Sequence, residues 1–393
     1  MASAWAAIYT AAVWTQQFIV APVHDDIRLN YVAAEAGLRY GWSTIYDPSV
    51  LRSLSASMPE ATRLIDTQAI YASPPLLAWL VAPLTALPVP AAYVIWTVLS
   101  VAALVFAWLV ASPYVGLARI TLLLAALGLG PVLMTLYFGQ PTLIVLALVA
   151  AAWWLTTRNR PWAAGALIAI ALFLKPQAVI LLPAAILVSG RYRTFAAVAV
   201  AGTVLGLLTA IVLGSHGLIG WWQAVRGIQR LQINTAYTLA QPFGTGPLTI
   251  ALWIVQGALA LFVAWRRRHE VEMVFAAGVL GTVATVSYFH NSDYAVLLIA
   301  AWLALRTSPP LWHRLWLLAG IVPMQLLLTN LLAGPQLIWD AGWLLILAVS
   351  ATTSVGVRRL AVEPVPALDA KAVPSEVVVT ARGADEAAGR VGL

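Results

Sequence analysis

The chain has 393 residues, of which 62% are hydrophobic and 9% are charged, and its mean hydropathy is +0.87. A soluble domain carries about 25% charged residues, so this composition excludes a soluble globular protein and predicts an integral membrane protein. The net charge of +7 comes mainly from arginines in short loops between apolar segments, which indicates orientation in a membrane and no binding to nucleic acid. Cysteine is absent, which excludes disulfides and thiolate metal sites.

The first ninety residues predict one membrane span followed by a long outer loop. Residues 2–23 lack a basic leader and a small-residue cleavage site, so we expect a retained helix and not a signal peptide. Residues 24–72 are polar, and their apolar spacing predicts two short amphipathic helices around a turn at residues 46–48. Five prolines in residues 73–90 disfavour a plain spanning helix and favour a re-entrant or interfacial segment.

The remaining apolar segments complete an all-α, polytopic bundle of about twelve transmembrane helices. Further spans are predicted at 91–111, 119–137, 141–157, 161–174, 176–189, 194–214, 247–265, 271–289, 295–306, 312–330 and 337–357. With this count, the basic loops at 158–160, 191–193 and 266–268 share the cytoplasmic side, as the positive-inside rule requires. Residues 1–357 then form the membrane domain, with outer loops at 24–90 and 215–246, and residues 358–393 form a cytoplasmic disordered tail.

This topology brings several polar features to one face of the membrane. The outward side receives Asp25 and Asp26, Gln140, Lys175, the loop 215–246, and the segment from His290 to Asp293. Ionisable residues at a membrane boundary lose solvation, so they are rarely retained there without a role. The pattern predicts a site on the extracytoplasmic face.

Asp25 and Asp26 follow the first span directly. A carboxylate at the lipid boundary can act as a general base toward a sugar hydroxyl. The alternatives are a solvated N-terminal cap for a helix beginning near Ile27, or a divalent cation site that includes His24.

Lys175 and Gln140 lie at breaks between apolar segments. An ammonium on the side that the positive-inside rule disfavours predicts an anionic partner, such as a lipid phosphate, although a snorkelling lysine is the alternative. Gln140 follows Gly139 in a turn and can bind a hydroxylated ligand or close backbone hydrogen bonds.

Two further segments carry polar and aromatic side chains. His290 and Asp293 are three residues apart, a spacing that can grip a sugar or a phosphate, and the alternative is a polar interfacial loop. The loop 215–246 contains Trp221, Trp222, Arg226, Arg230, Asn234, Tyr237 and Gln241. These aromatic, arginine and amide side chains suit either carbohydrate binding or an amphipathic helix on the outer leaflet.

Together these residues resemble glycosyltransferase family 87, the polyprenyl-phosphate-mannose-dependent mannosyltransferases of the GT-C superfamily. The resemblance covers about residues 20–300. It rests on the order and spacing of short motifs: Asp26 to Ala34, Ile45 to Pro48, Tyr71 with Pro74 to Leu76, Gly139-Gln140, Leu174 to Pro176, and His290 to Tyr294.

The resemblance implies a GT-C-type bundle in a bacterial plasma membrane, with a helical first outer loop that carries a catalytic aspartate. It implies an inverting transfer of mannose from a lipid-linked donor to a glycolipid, such as a phosphatidylinositol mannoside, or to a glycan. Asp26 is the expected base and His290 the second catalytic residue. The residues expected to bind donor or acceptor are Lys175, Asp25, Arg28, Tyr31, Tyr71, Gln140, Asp293 and Tyr294.

No cofactor is expected, because phosphate is already a good leaving group and a divalent metal is not obligatory. The expected partners are a polyprenyl-phosphate-sugar donor, the acceptor and membrane lipids. The alternatives are an arabinofuranosyltransferase with a polyprenyl-phosphate-arabinose donor, a transporter of lipid-linked sugars, and a non-catalytic scaffold in envelope assembly. A transporter favours ionisable residues at mid-membrane and inverted repeats, whereas here the ionisable residues gather on one face.

Overall fold

The computed structural model describes residues 1–20, 24–59, 70–229, 231, 234–329 and 333–360, with the side chains of residues 25, 329 and 353–360 left out. Every regular element in these ranges is helical. The α-helices are α1 Ala2–Val20, α2 Asp25–Tyr40, α3 Pro48–Ala56, α4 Pro75–Val81, α5 Val89–Ala111, α6 Gly116–Leu127, α7 Gly130–Phe138, α8 Thr142–Thr157, α9 Pro161–Leu174, α10 Leu182–Val188, α11 Tyr192–Gln229, α12 Ala240–Phe243, α13 Pro247–Arg266, α14 Val271–Thr285, α15 Leu297–Arg306, α16 Leu311–Ala319, α17 Ile321–Leu326 and α18 Gly334–Leu360.

Several of these helices have the length and composition of membrane spans. In the described ranges, α5, α11, α13 and the part of α18 up to Thr352 qualify, and the bent pair α6 and α7 makes a fifth if it is one span. Helices α4, α8, α9 and α14 are apolar but shorter. The protein is therefore an all-α polytopic membrane protein, as predicted, while the count of twelve spans stays a prediction.

Helix α14 lies at the centre of the bundle. Every residue from Met273 to Ala284 is buried, and the helix packs against α10, α13 and α15. A helix that is apolar on all sides can cover all of its faces only by packing inside a bundle. The end of α14 at Thr285 leads directly into the cavity described below.

Residues 24–59 contain two α-helices, as their apolar spacing predicts. Asp47 caps α3 by accepting a hydrogen bond from the Ser49 backbone N–H at 2.8 Å. Helix α2 packs against α4 and the 3₁₀ turn Ala82–Ala86. Helix α4 has 7 residues, so it is too short to cross a bilayer about 30 Å thick, in keeping with the proline pattern.

Three predicted spans are broken helices. The segment 119–137 is the pair α6 and α7, which meet at an angle of 56°. The Gln325 side chain closes this break, since its Nε2 donates to the Gly128 carbonyl and its Oε1 accepts from the Gly130 N–H, both at 2.7 Å. The segment 176–189 is a 3₁₀ turn followed by α10, and 312–330 divides into α16 and α17.

The predicted boundary at residue 214 coincides with a break in α11. The backbone at Gly214 is not helical, with a φ of 61° and a ψ of −174°, so α11 consists of two helical segments that meet there, and the second ends at Gln229. Residues 215–229 therefore form a helix, where Arg226 stacks over Trp222 at 4.5 Å, and not an open loop. At the C-terminus, residues 358–360 of the predicted tail continue α18, and residues 361–393 lie outside the described part of the chain.

Candidate active site

A cavity of about 460 Å³ brings together polar residues from six separate parts of the sequence. We call it the polar cavity. Its lining includes the polar side chains of Asp26, Gln140, Lys175 and His290 and the apolar side chains of Leu77, Ile180, Trp221, Val225 and Ile228. The cavity therefore suits a ligand that has both a polar head and a hydrocarbon portion.

Asp26 reaches the cavity because α2 and the end of α7 approach each other closely. Gly139 closes α7 with a φ of 71°, and a Cβ atom there would lie 2.8 Å from the Ile27 Cβ. Only glycine allows both this backbone conformation and this contact without strain. Because Ile27 follows Asp26 and Gly139 precedes Gln140, the approach brings the carboxylate beside the amide.

Gln140 joins the carboxylate to a buried cation. Its Nε2 donates a short hydrogen bond to Asp26 Oδ2, and its Oε1 accepts one from Lys175 Nζ at 2.7 Å. Lys175 also donates to the Thr142 hydroxyl at 2.9 Å and forms an ion pair with Asp293. The ammonium has three N–H bonds, so these contacts occupy all of its donors.

Asp293 is the counterion of Lys175, and the two side chains are buried, with exposures of 0% and 3%. The second oxygen of Asp293 accepts from the His290 backbone N–H at 3.0 Å, which caps the 3₁₀ turn Asn291–Val296. A buried charge is stable only when it is paired and hydrogen-bonded, and both conditions hold here. Asp293 is therefore an anionic partner of Lys175 within the chain, and the expected contact of Lys175 with a lipid anion stays a prediction.

His290 is oriented by Asn234, one of the amide residues that the sequence places in the loop 215–246 as suited to carbohydrate binding. Asn234 Nδ2 donates to the Ile228 carbonyl at 2.6 Å, and its Oδ1 lies 2.8 Å from His290 Nε2. Because that oxygen is an acceptor, Nε2 is the protonated ring nitrogen and Nδ1 is the nitrogen left for other contacts. The Phe289 backbone N–H also donates to the Asn234 carbonyl at 3.1 Å.

Three tyrosines and an arginine expected at the site do not line the polar cavity. The Tyr31 hydroxyl donates to the carbonyls of Thr85 and Leu87, so it fastens α2 to the segment before α5. Tyr294 donates to the Tyr237 carbonyl at 2.9 Å, and Tyr71 stacks on Tyr46. Arg28 is buried on α2, with 5% exposure. The geometry gives the tyrosines a role in holding the walls, and the Asp25 side chain lies outside the described residues.

Two ionisable side chains near Asp26 have shifted pKa values. Burial, with the nearby Arg28 guanidinium adding to it, lowers the pKa of His24 to about 4. Its ring is therefore neutral near pH 7 and packs 3.6 Å from the Tyr137 ring. Burial also raises the pKa of Tyr288, a cavity residue, and the charges of Asp293 and Asp26 raise it further.

The expectation of a metal-independent site stays a prediction. Within the described ranges, no group of three histidine, aspartate or glutamate side chains could hold a metal ion. The proposed cation site at His24, Asp25 and Asp26 depends in part on the Asp25 side chain, which is not described.

The fold and the cavity define a multi-pass membrane protein with a buried charged network facing an amphipathic cavity. The model of glycosyltransferase family 87 matches residues 71–288, more than half of the chain, and the chain belongs to this family. It is therefore a glycosyltransferase. No curated protein and no solved structure matches the chain. Gln140 and Lys175 lie within the matched residues, whereas Asp26 and His290 lie outside them and are joined to them by the contacts described above.

Proposed function

We propose that this protein is an inverting glycosyltransferase that moves a mannosyl residue from polyprenyl-phosphate-mannose to a glycolipid or glycan on the extracytoplasmic face of a bacterial plasma membrane. The observation that carries the proposal is the Asp26 carboxylate in a cavity whose lining combines polar and apolar side chains. A sugar phosphate on a polyprenyl chain combines the same two kinds of chemistry. The positive-inside arrangement of the arginines supports an outward-facing cavity.

In the proposed reaction, Asp26 takes the proton of an acceptor hydroxyl while that oxygen attacks the anomeric carbon of the sugar. The new carbon–oxygen bond forms on the face opposite the phosphate. The bond from the anomeric carbon to the phosphate oxygen breaks at the same time, and its electron pair leaves with polyprenyl phosphate. A single displacement inverts the configuration and returns Asp26 protonated, to be deprotonated by solvent.

His290 is the proposed contact for the departing phosphate. Its Nε2–H is held by Asn234, so Nδ1 is the ring nitrogen left to contact a phosphate oxygen, and it donates to that oxygen when the ring carries a second proton. Lys175 contributes positive charge to the same wall of the cavity, but its three N–H groups already have partners. We therefore propose that Lys175 stabilises the site and that His290 contacts the substrate.

The test is transfer by purified protein in liposomes supplied with radiolabelled polyprenyl-phosphate-mannose and a phosphatidylinositol mannoside acceptor. We expect labelled glycolipid with the wild type and none above background with Asp26→Asn. If product formed only with polyprenyl-phosphate-arabinose, the transferred sugar would be arabinofuranose and not mannose, and the reaction class would be unchanged. Movement of the donor across the bilayer without any product would contradict the proposal in favour of a transporter.

A further inference from the structure

Gln140 contacts both a carboxylate and an ammonium through opposite ends of one amide. The carboxylate is Asp26, on α2, and the ammonium is Lys175, at the end of α9. A glutamine that only closes a turn bonds to the backbone, and a glutamine that only binds substrate leaves one end of its amide for the ligand. Here the amide spans two charged groups, so its orientation is fixed at both ends.

The contacts of Lys175 set which end of the amide faces Asp26. Lysine can only donate hydrogen bonds, so it must face the amide oxygen of Gln140, and the NH₂ group must then face the carboxylate. Lys175 is in turn held by Asp293 and by Thr142, whose hydroxyl lies 3.4 Å from Asp293 Oδ1. The orientation of the donor toward Asp26 thus originates in the buried ion pair.

We infer that Gln140 is a positioning residue for the base, through which the buried Lys175–Asp293 ion pair orients the Asp26 carboxylate and keeps it ionised. The inference rests on the proposed function, since it assigns Asp26 the role of the base. A hydrogen bond donated to a carboxylate favours its charged form. The polarised amide adds to this effect, because Lys175 withdraws electron density from the Gln140 oxygen.

The effect of Gln140 on Asp26 can be tested apart from the effects of the charged and titratable groups near Asp26. These groups are Lys175 and Asp293 beyond the amide, Tyr288 and His290 in the cavity wall, and His24, Asp25 and Arg28 on the same segment as Asp26. A substitution at Gln140 leaves all of them in the chain. A change in the pH dependence of transfer in such a variant therefore reports the loss of the amide contact itself.

The experiment is the pH profile of kcat/KM for transfer by the full-length protein, wild type against Gln140→Met. Methionine keeps the length of the side chain and removes both amide contacts. We expect the acid limb of the profile to move to higher pH by about one unit, the size of one hydrogen bond to a charged group, with a donor KM within about twofold of wild type. Gln140→Glu, which adds a second carboxylate beside Asp26, should move the acid limb further in the same direction.

The matched control is Gln177→Met, because Gln177 also lines the polar cavity and the same chemical change is made there. Whatever this control does to kcat, its acid limb should stay at the wild-type pH. An unmoved acid limb in both Gln140 variants, with a raised donor KM, would overturn the inference and make Gln140 a substrate ligand. No transfer by the wild type from any lipid-linked sugar would overturn the proposed function and, with it, this role of Gln140.

Discussion

Two of the cavities in the described part of the chain differ in the chemistry of their lining. The second cavity, which we call the apolar cavity, has a volume of about 670 Å³ and lies between α6, α15 and the segment from α16 to α18. Leucine, alanine and isoleucine side chains form most of its lining. The polar cavity is smaller, yet Asp26, Gln140, Lys175 and His290 converge on it from four separate segments. Volume alone would select the second cavity, whereas convergent polar groups favour the polar cavity as the candidate site.

The lining of the apolar cavity includes exposed leucines, among them Leu117, Leu315 and Leu318. Side chains of this kind match hydrocarbon, so lipid can occupy that space without any specific contact. Hydrogen bonds between distant segments hold the walls of both cavities. Trp221 donates to the Ala72 carbonyl at the polar cavity, and Trp339 donates to the Trp316 carbonyl at the apolar cavity.

The largest expected effect comes from removing the proposed base. Asp26→Asn should lower kcat/KM for transfer by a factor of about 10³, since the acceptor hydroxyl then loses its general base. The matched control is Asp47→Asn, because Asp47 lies in the same outer loop but caps α3, and asparagine caps a helix equally well. Equal transfer rates in the two variants would contradict the role of Asp26.

The second prediction concerns the contribution of the buried Lys175–Asp293 ion pair to stability. Lys175→Met should lower the stability of the protein by about 3–5 kcal/mol, because Asp293 is left as an uncompensated buried charge. The double variant with Asp293→Asn should recover much of this loss, since both charges are then absent. Thermal unfolding in detergent measures both effects. A double variant no more stable than the single one would show that the pair does not support the fold in this way.

The third prediction compares the cavities directly by filling each with the same side chain. Ala72→Phe projects into the polar cavity and should lower transfer by a factor of about 10² by displacing the substrate. Ala301→Phe projects into the apolar cavity and should leave transfer within about twofold of wild type. The opposite ranking in the transfer assay would assign the chemistry to the apolar cavity.

The smallest expected effect comes from the close approach of α2 to α7. Gly139→Ala and Gly190→Ala both add a Cβ at a positive φ, so each should lose about 1 kcal/mol of stability. Only at residue 139 does the new atom meet a neighbour, Ile27, whereas nothing lies within 4 Å at residue 190. Transfer should therefore fall about tenfold in Gly139→Ala alone, since α2 carries Asp26. Equal losses of activity would indicate that the contact with Ile27 is unimportant.

The sequence predicted the helical class, most helix positions and the shared location of the polar residues. It did so because apolar length and basic loops are local properties of the chain. Asp26, Gln140, Lys175 and His290 were expected on one face and do line one cavity. Their roles in transfer remain predictions. Helix α9, predicted at 161–174, has those bounds in the structure.

The partners within the site could not be predicted, because they depend on how distant segments pack. Asp293 forms an ion pair with Lys175, a pairing across more than a hundred residues, while its expected contact with substrate stays a prediction. Thr142 was missed because one hydroxyl in an apolar sequence carries little signal, and Asn234 was noted in the loop 215–246 without its contact to His290. Tyr31 and Tyr294 were placed at the site by resemblance, yet their hydroxyls bind backbone carbonyls elsewhere. The Gly139-Gln140 pair was the one local signal of the close helix contact.

The most direct test of the central claim is to find where the donor binds. A polyprenyl-phosphate-sugar analogue with a photoreactive group next to the phosphate would be crosslinked to the wild-type protein in liposomes and mapped by mass spectrometry, with and without excess natural donor. We expect competed crosslinks in residues 174–180 or 221–229, which line the polar cavity. Competed crosslinks confined to residues 117–126 or 314–324, at the apolar cavity, would contradict the account.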